Sequence, residues 1–147
     1  MSPGPAAGGG GRGRGETDIR TGLSPVVRAA GAGEALWAMG SLMEVTLEER
    51  ETGGALTVME VTQPPGVATP LHVHRHEAEV FYLLAGTMDY EAGGQLHHLE
   101  GGALIWLPKG VPHRFQVTGD TPVRFLGLGL TGGRRTQRPP PGRPGRR

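Results

Sequence analysis

Cysteine is absent from this chain of 147 residues. That rules out disulfides and thiolate ligands, so any bound metal must be held through nitrogen and oxygen. No apolar run approaches the roughly 18 residues that a membrane-spanning helix needs. The opening stretch MSPGPAAGGGGRGRG lacks the apolar core of a signal peptide. A cytoplasmic location with no membrane partner is the expectation. No helix-turn-helix pattern is visible, which argues against a DNA-binding regulator. Helix signals are scarce altogether: the one candidate runs from about Ala29 to Met39 and is interrupted by Gly31 and Gly33.

Acid is missing from both ends. Residues Met1 to Gly15 carry Arg12 and Arg14, and residues Gly132 to Arg147 carry Arg134, Arg135, Arg138, Arg143, Arg146 and Arg147. Removing those eight arginines leaves seven basic residues against fourteen acidic ones in Glu16 to Thr131, so a net charge of +1 conceals a middle at −7. Segments of Gly, Pro and Arg bury too little apolar area to offset the entropy of ordering them. Residues 1–15 and 132–147 are therefore read as disordered tails around a single domain over residues 16–131. The arginines could contact phosphate. Neither tail interleaves aromatics for base stacking, however, and the acidic middle would repel a phosphate backbone. No nucleic-acid partner is expected.

What the middle has in abundance is short strands. Val26–Ala29, Ala35–Met39, Leu42–Leu47, Leu56–Thr62, Leu71–His74, Glu79–Leu84, Met88–Glu91, Gln95–Leu99, Ala103–Leu107, Arg114–Val117 and Val123–Leu130 are mostly β-branched, aromatic or alternating. Turn signals stand between them, among them Pro64-Pro65-Gly66, Ala85-Gly86, Gly93-Gly94, Gly101-Gly102 and Pro108-Lys109-Gly110. Many short strands at this spacing predict an all-β sandwich or barrel.

Within that pattern one constellation carries chemistry. His72-Val73-His74 sets two imidazoles two residues apart, and on a strand they share a face. Were the strand continuous, His76 would join them and Glu79 would point away. Glu79 joins the histidines only if the chain turns or bulges after His74, and the fresh apolar run Val80-Phe81-Tyr82-Leu83-Leu84 supports such a reset. A further ligand must come from a distant strand, and His113 follows the turn Pro108-Lys109-Gly110.

These residues resemble the cupin family. Gly66-x5-His72-x-His74-x4-Glu79-x6-Gly86 is similar to the first cupin motif at every defined position. Gly102-x5-Pro108-x-Gly110-x2-His113 is similar to the second motif up to its histidine. The family's closing asparagine is Val117 here, a position that does not bind the metal. The resemblance implies a double-stranded β-helix, or jelly-roll barrel, with one ion inside its mouth held by His72, His74, Glu79 and His113. Three imidazoles and a carboxylate suit one divalent transition ion (Fe, Mn, Ni, Cu, Co or Zn) and leave one or two positions open. They disfavour Ca and Mg, which prefer oxygen ligands. In a metal-free barrel, three buried histidines around a carboxylate would be costly to keep.

Neighbouring polar residues get a plainer reading. His76 and Glu77 belong to the turn between ligand-bearing segments, and His97-His98 presents one ring inward and one outward. If Glu79 and His113 face inward, alternation brings Phe81, Leu83, Phe115 and Val117 inward too, and Trp106 is taken as a further wall of the substrate pocket. Apolar walls beside an ion suit a small-molecule substrate that is neutral and partly aromatic or enolisable. Three functions follow from the resemblance. The first is an oxygenase of the quercetin dioxygenase-like type, with Glu79 as ligand and proton acceptor. The second is a non-redox cyclase or isomerase of the kind found in polyketide pathways. The third is a binding module without turnover. Open strand edges and the outer row Val80, Tyr82 and Leu84 lead us to expect a homodimer.

Overall fold

The computed structural model describes residues 22–132. The two tails read as disordered lie outside the described residues, Gly132 excepted. Nine strands follow in chain order: β1 (Glu34–Ala38), β2 (Ser41–Leu47), β3 (Leu56–Gln63), β4 (Ala78–Ala85), β5 (Thr87–Ala92), β6 (Gln95–Glu100), β7 (Leu104–Leu107), β8 (His113–Thr118) and β9 (Val123–Leu130). A single 3-10 turn at Glu49–Thr52 is the one helical element among the described residues. No helix there is long and apolar enough to cross a membrane.

The strands form two antiparallel sheets, one of six strands in the order β1-β2-β3-β9-β4-β7 and one of three in the order β6-β5-β8. The fold is an all-β jelly roll. β9 is the hinge of the larger sheet, pairing along its whole length with β3 on one side and with β4 on the other. Its alternation of Phe125, Gly127 and Gly129 with Leu126, Leu128 and Leu130 decides what faces inward. Between the sheets lie Val61, Leu83, Met88, Tyr90, Leu99, Leu107, Phe115, Val117, Val123 and Phe125. The β4–β5 turn needs Gly86: its φ is +82°, and a Cβ there would meet the Pro122 carbonyl oxygen at 2.6 Å.

Two of the strands expected from sequence are not strands. Val26–Ala29 is exposed and irregular, because nothing packs on its apolar residues. Leu71–His74 is the instructive case. The chain from Gly66 to His72 runs antiparallel along β8, with Gly66 N–H donating to the Val117 carbonyl (3.1 Å), Val117 N–H to Val67 (2.8 Å) and Thr69 N–H to Phe115 (3.0 Å). Bridges pair Ala68 with Gln116 and His72 with His113. The register slips by one residue between those bridges, so the segment docks on the smaller sheet without becoming a regular strand. The candidate helix over Ala29–Met39 is instead an edge strand, β1, hydrogen-bonded to β2. Gly31 and Gly33 are poor helix formers, and pairing supplies the partners that a helix would have had to find within itself.

Candidate metal centre

The structure brings His72, His74, Glu79 and His113 together at one end of the barrel. Each offers one ligand atom, and those atoms all lie within 4.8 Å of one another. Two devices hold the loop histidines. His72 and His113 exchange both backbone hydrogen bonds, at 3.0 and 2.9 Å, and Gly110 N–H donates to the His74 carbonyl at 2.8 Å. The chain then bends at Arg75 and His76 before β4 begins. That bend resets the alternation, and Glu79 turns inward while His76 is exposed.

Ring orientation follows from the outer nitrogens. His72 Nδ1 lies 2.9 Å from the Pro70 carbonyl oxygen, and His113 Nδ1 lies 2.9 Å from that of Val111. A carbonyl only accepts, so each Nδ1 carries a proton and each Nε2 is the nitrogen left facing the centre. Glu79 Oε2 stands 3.2 Å from His113 Nε2 and 3.4 Å from His74 Nε2. Both Glu79 Oε2 and His113 Nε2 are buried with no hydrogen-bond partner among the described residues. With neither a proton nor an ion between them, two such atoms in a buried site repel and cost free energy. Ligand atoms about 2.1 Å from a shared ion, at angles near 90–109°, would stand about 3.0–3.4 Å apart. The two spacings from Glu79 Oε2 fall in that interval, and the donor set fits a divalent transition ion.

Beside Glu79 opens a cavity of about 130 Å³, lined by Thr57, Met59, Glu77, Glu79, Phe81 and the backbone of Gly127 to Gly129. Of the wall residues expected from sequence, Phe81 lies on it. Leu83 and Val117 do not, because they are sealed in the core at 0% and 2% exposure. Phe115 is likewise core, its ring centroid 5.4 Å from that of Tyr90 and 6.4 Å from that of Phe125. Trp106 pairs across β4 with Val80, is 57% exposed, and lines the apolar groove between β6 and β7 rather than the cavity beside Glu79. Ile105 and Leu107, which pair with Phe81 and Glu79, are the β7 residues that point inward. His97 lines a shallow apolar groove between β6 and β7, and His98 turns outward to Asp89 at 2.6 Å. Neither belongs to the cluster.

Several site residues escaped the reading of the sequence. Glu77, assigned there to a turn, faces the cavity. Tyr90 is fully buried with an unpartnered hydroxyl. Burial, and secondarily the charge of Glu79, raises its pKa well above the ordinary value. The signal for the cavity was present in Gly127-Leu128-Gly129, where alternate residues have no side chain on the inner face.

Comparison with known proteins agrees with this fold. Residues 59–129 match the cupin domain family model. A quercetin 2,3-dioxygenase from Bacillus subtilis is 27% identical over 101 residues, covering 69% of this chain and 30% of that protein. An oxalate-binding protein from Thermotoga maritima is 31% identical over 65 residues, covering 44% of this chain and 54% of the other. The chain thus spans about a third to about half the length of these curated relatives. The crystal structure of a predicted oxalate decarboxylase from Thermotoga maritima superposes with a TM-score of 0.64 at 24% identity, covering 73% of this chain and 99% of that one. Both motifs, the two-sheet barrel and these likenesses converge on one assignment: residues 59–129 carry a cupin domain.

Proposed function

We propose that this cupin is a metal-dependent enzyme acting on a small organic molecule, and that its reaction is an oxygenation of the quercetin dioxygenase-like type. The observation that carries the reading is the facing pair Glu79 Oε2 and His113 Nε2, buried and unsatisfied across 3.2 Å beside an open cavity. A divalent transition ion held by His72, His74, Glu79 and His113 would satisfy both atoms, and when bound it supplies Lewis-acid chemistry and, if redox-active, electron exchange with O₂.

The chain's own residues have separable tasks. The Nδ1–H bonds of His72 and His113 fix the tautomer and hold each Nε2 toward the centre. Glu79, which also forms part of the cavity wall, is positioned to accept a proton from a ligand hydroxyl or an acidic C–H. Phe81 and Met59 keep water from the apolar side of the cavity. A second reading, non-redox cyclisation or isomerisation through an enolate, draws support from Glu77. With two carboxylates at one cavity, proton removal and proton return have separate candidates.

Elemental analysis followed by oxygen-electrode assays tests these readings. Stoichiometric Fe, Mn, Ni or Cu, with O₂ uptake on catechols or flavonols that disappears in His113→Ala, supports the oxygenase. Stoichiometric Zn and turnover without O₂ uptake supports the cyclase or isomerase. A protein that takes up none of these ions overturns both.

A further inference from the structure

The inner face of β9 is bare where its neighbours are not. Gly127 lies opposite Phe81 and Gly129 opposite Glu79 across the β4–β9 ladder. A Cβ on Gly129 would come within 2.8 Å of Glu77 Oε1 and 2.9 Å of its carboxyl carbon. The Glu77 carboxylate therefore fills the space that an ordinary side chain at position 129 would occupy, directly beside Glu79. Neither lysine nor arginine lines the cavity. Among the described residues, the ion pairs engage other carboxylates and leave Glu77 without a cation. Lys109 is not among the lining residues, its Nζ lying 3.7 Å from where a Gly132 Cβ would stand.

Size and charge together define what fits. An apolar cavity of about 150 Å³ accommodates benzene, so the 130 Å³ here admits about one ring of a ligand. With the ion bound, Glu79 is neutralised as a ligand, and Glu77 is the uncompensated carboxylate of a partly buried wall, where it repels a further anion more strongly than it would in water. The same carboxylates accept hydrogen bonds from hydroxyl groups. We propose that this cavity selects uncharged, hydroxyl-bearing ligands of single-ring size and turns away small dianions, with Glu77 as the selecting residue. The inference rests on the metal reading above and deepens it. It also separates this chain from an oxalate binder, despite the likeness to one.

The test uses the full chain loaded with Co(II) under anaerobic conditions, with catechol and oxalate as probes and the visible Co(II) bands as readout. In the wild type, catechol should bind more tightly than oxalate. In Glu77→Gln, which keeps the shape and removes the charge, oxalate affinity should rise roughly tenfold while catechol affinity falls or holds. The ratio of catechol to oxalate affinity then drops by about tenfold or more. A merely structural role for Glu77 would move both affinities together, so a ratio within about threefold of wild type, or one that rises, overturns the proposal. Glu77→Asp should restore most of the wild-type ratio. If neither protein acquires Co(II) bands at all, the metal reading itself fails, and this inference falls with it.

Discussion

The two ends of this barrel are built from the same strands and differ at every inward position. At the closed end, the inner row is Val61 on β3, Phe125 on β9, Leu83 on β4, Met88 on β5 and Val117 on β8, all buried and mutually packed. Two residues along each strand, the row becomes Met59, Gly127, Phe81, Tyr90 and Phe115. Two further, it becomes Thr57, Gly129, Glu79, Ala92 and His113. Apolar bulk gives way to rings and a bare backbone, and then to polar groups without partners. The closed end needs nothing from outside to be satisfied. The open end holds unpaired acceptors, and that asymmetry places function at one end and stability at the other.

Leu83→Ala should break the closed end. A fully buried leucine with no room to collapse loses transfer energy and leaves a void, at a cost of about 3 kcal/mol. Chemical denaturation should register that loss while metal uptake below the transition stays stoichiometric. At the open end the effects reverse. Glu79→Gln should lower metal affinity by on the order of ten- to a hundredfold while the apo protein still folds. His76→Ala should titrate with Co(II) like wild type, its ring being exposed and outside the cluster. Loss of metal in His76→Ala with retention in Glu79→Gln would overturn the ligand assignment.

Tyr90 sits on the boundary between the two ends and sharpens the comparison. Its ring packs against Phe81 and Phe115 at centroid distances of 5.7 and 5.4 Å, and its buried hydroxyl has no partner. Tyr90→Phe should therefore raise apo stability by about 1 kcal/mol, the desolvation cost of the orphaned group. The pH dependence has a definite sign. The folded-state pKa is raised well above the ordinary 10.0, so above about pH 10 the unfolded chain loses this proton while the folded one keeps it. Stability falls there with rising pH, and the advantage of Tyr90→Phe should widen in denaturation curves taken between about pH 9 and 11.

What the sequence disclosed follows the same division. Motif spacing and the turn after His74 were legible because they are local: a bend at Arg75 and His76 is enough to bring Glu79 to the histidines. The strand expected at Leu71–His74 was not, because the slip between the Ala68–Gln116 and His72–His113 bridges depends on β8, forty residues away. Same-face reasoning still placed the two rings together, since a single two-way bridge orients His72 as a ladder would. Glu77 was read as a turn residue because its inward position depends on the missing side chain of Gly129, a contact between distant segments. Tyr90 gave no sign of being orphaned, since burial of a hydroxyl is a property of the packed barrel.

Trp106 is the smallest of the expected effects and separates inside from outside most simply. It was taken from sequence as a cavity wall, yet its neighbour across the ladder is Val80 and its ring is 57% exposed. A side chain on the outer face contributes little to the fold of one chain, so Trp106→Ala should shift stability by no more than about 0.5 kcal/mol. Catechol affinity of the Co(II) form should not move, whereas an inward tryptophan would make it fall. The residue has a different use in an assembly. With Leu104 on the unprotected β7 edge and Tyr82 on β4, it forms an exposed apolar strip, the sort of surface a second copy covers in a twofold dimer. If the expected homodimer uses this strip, sedimentation should show Trp106→Ala shifting from dimer toward monomer at unchanged metal content. A variant that loses catechol binding and keeps its dimeric mass would return Trp106 to the cavity.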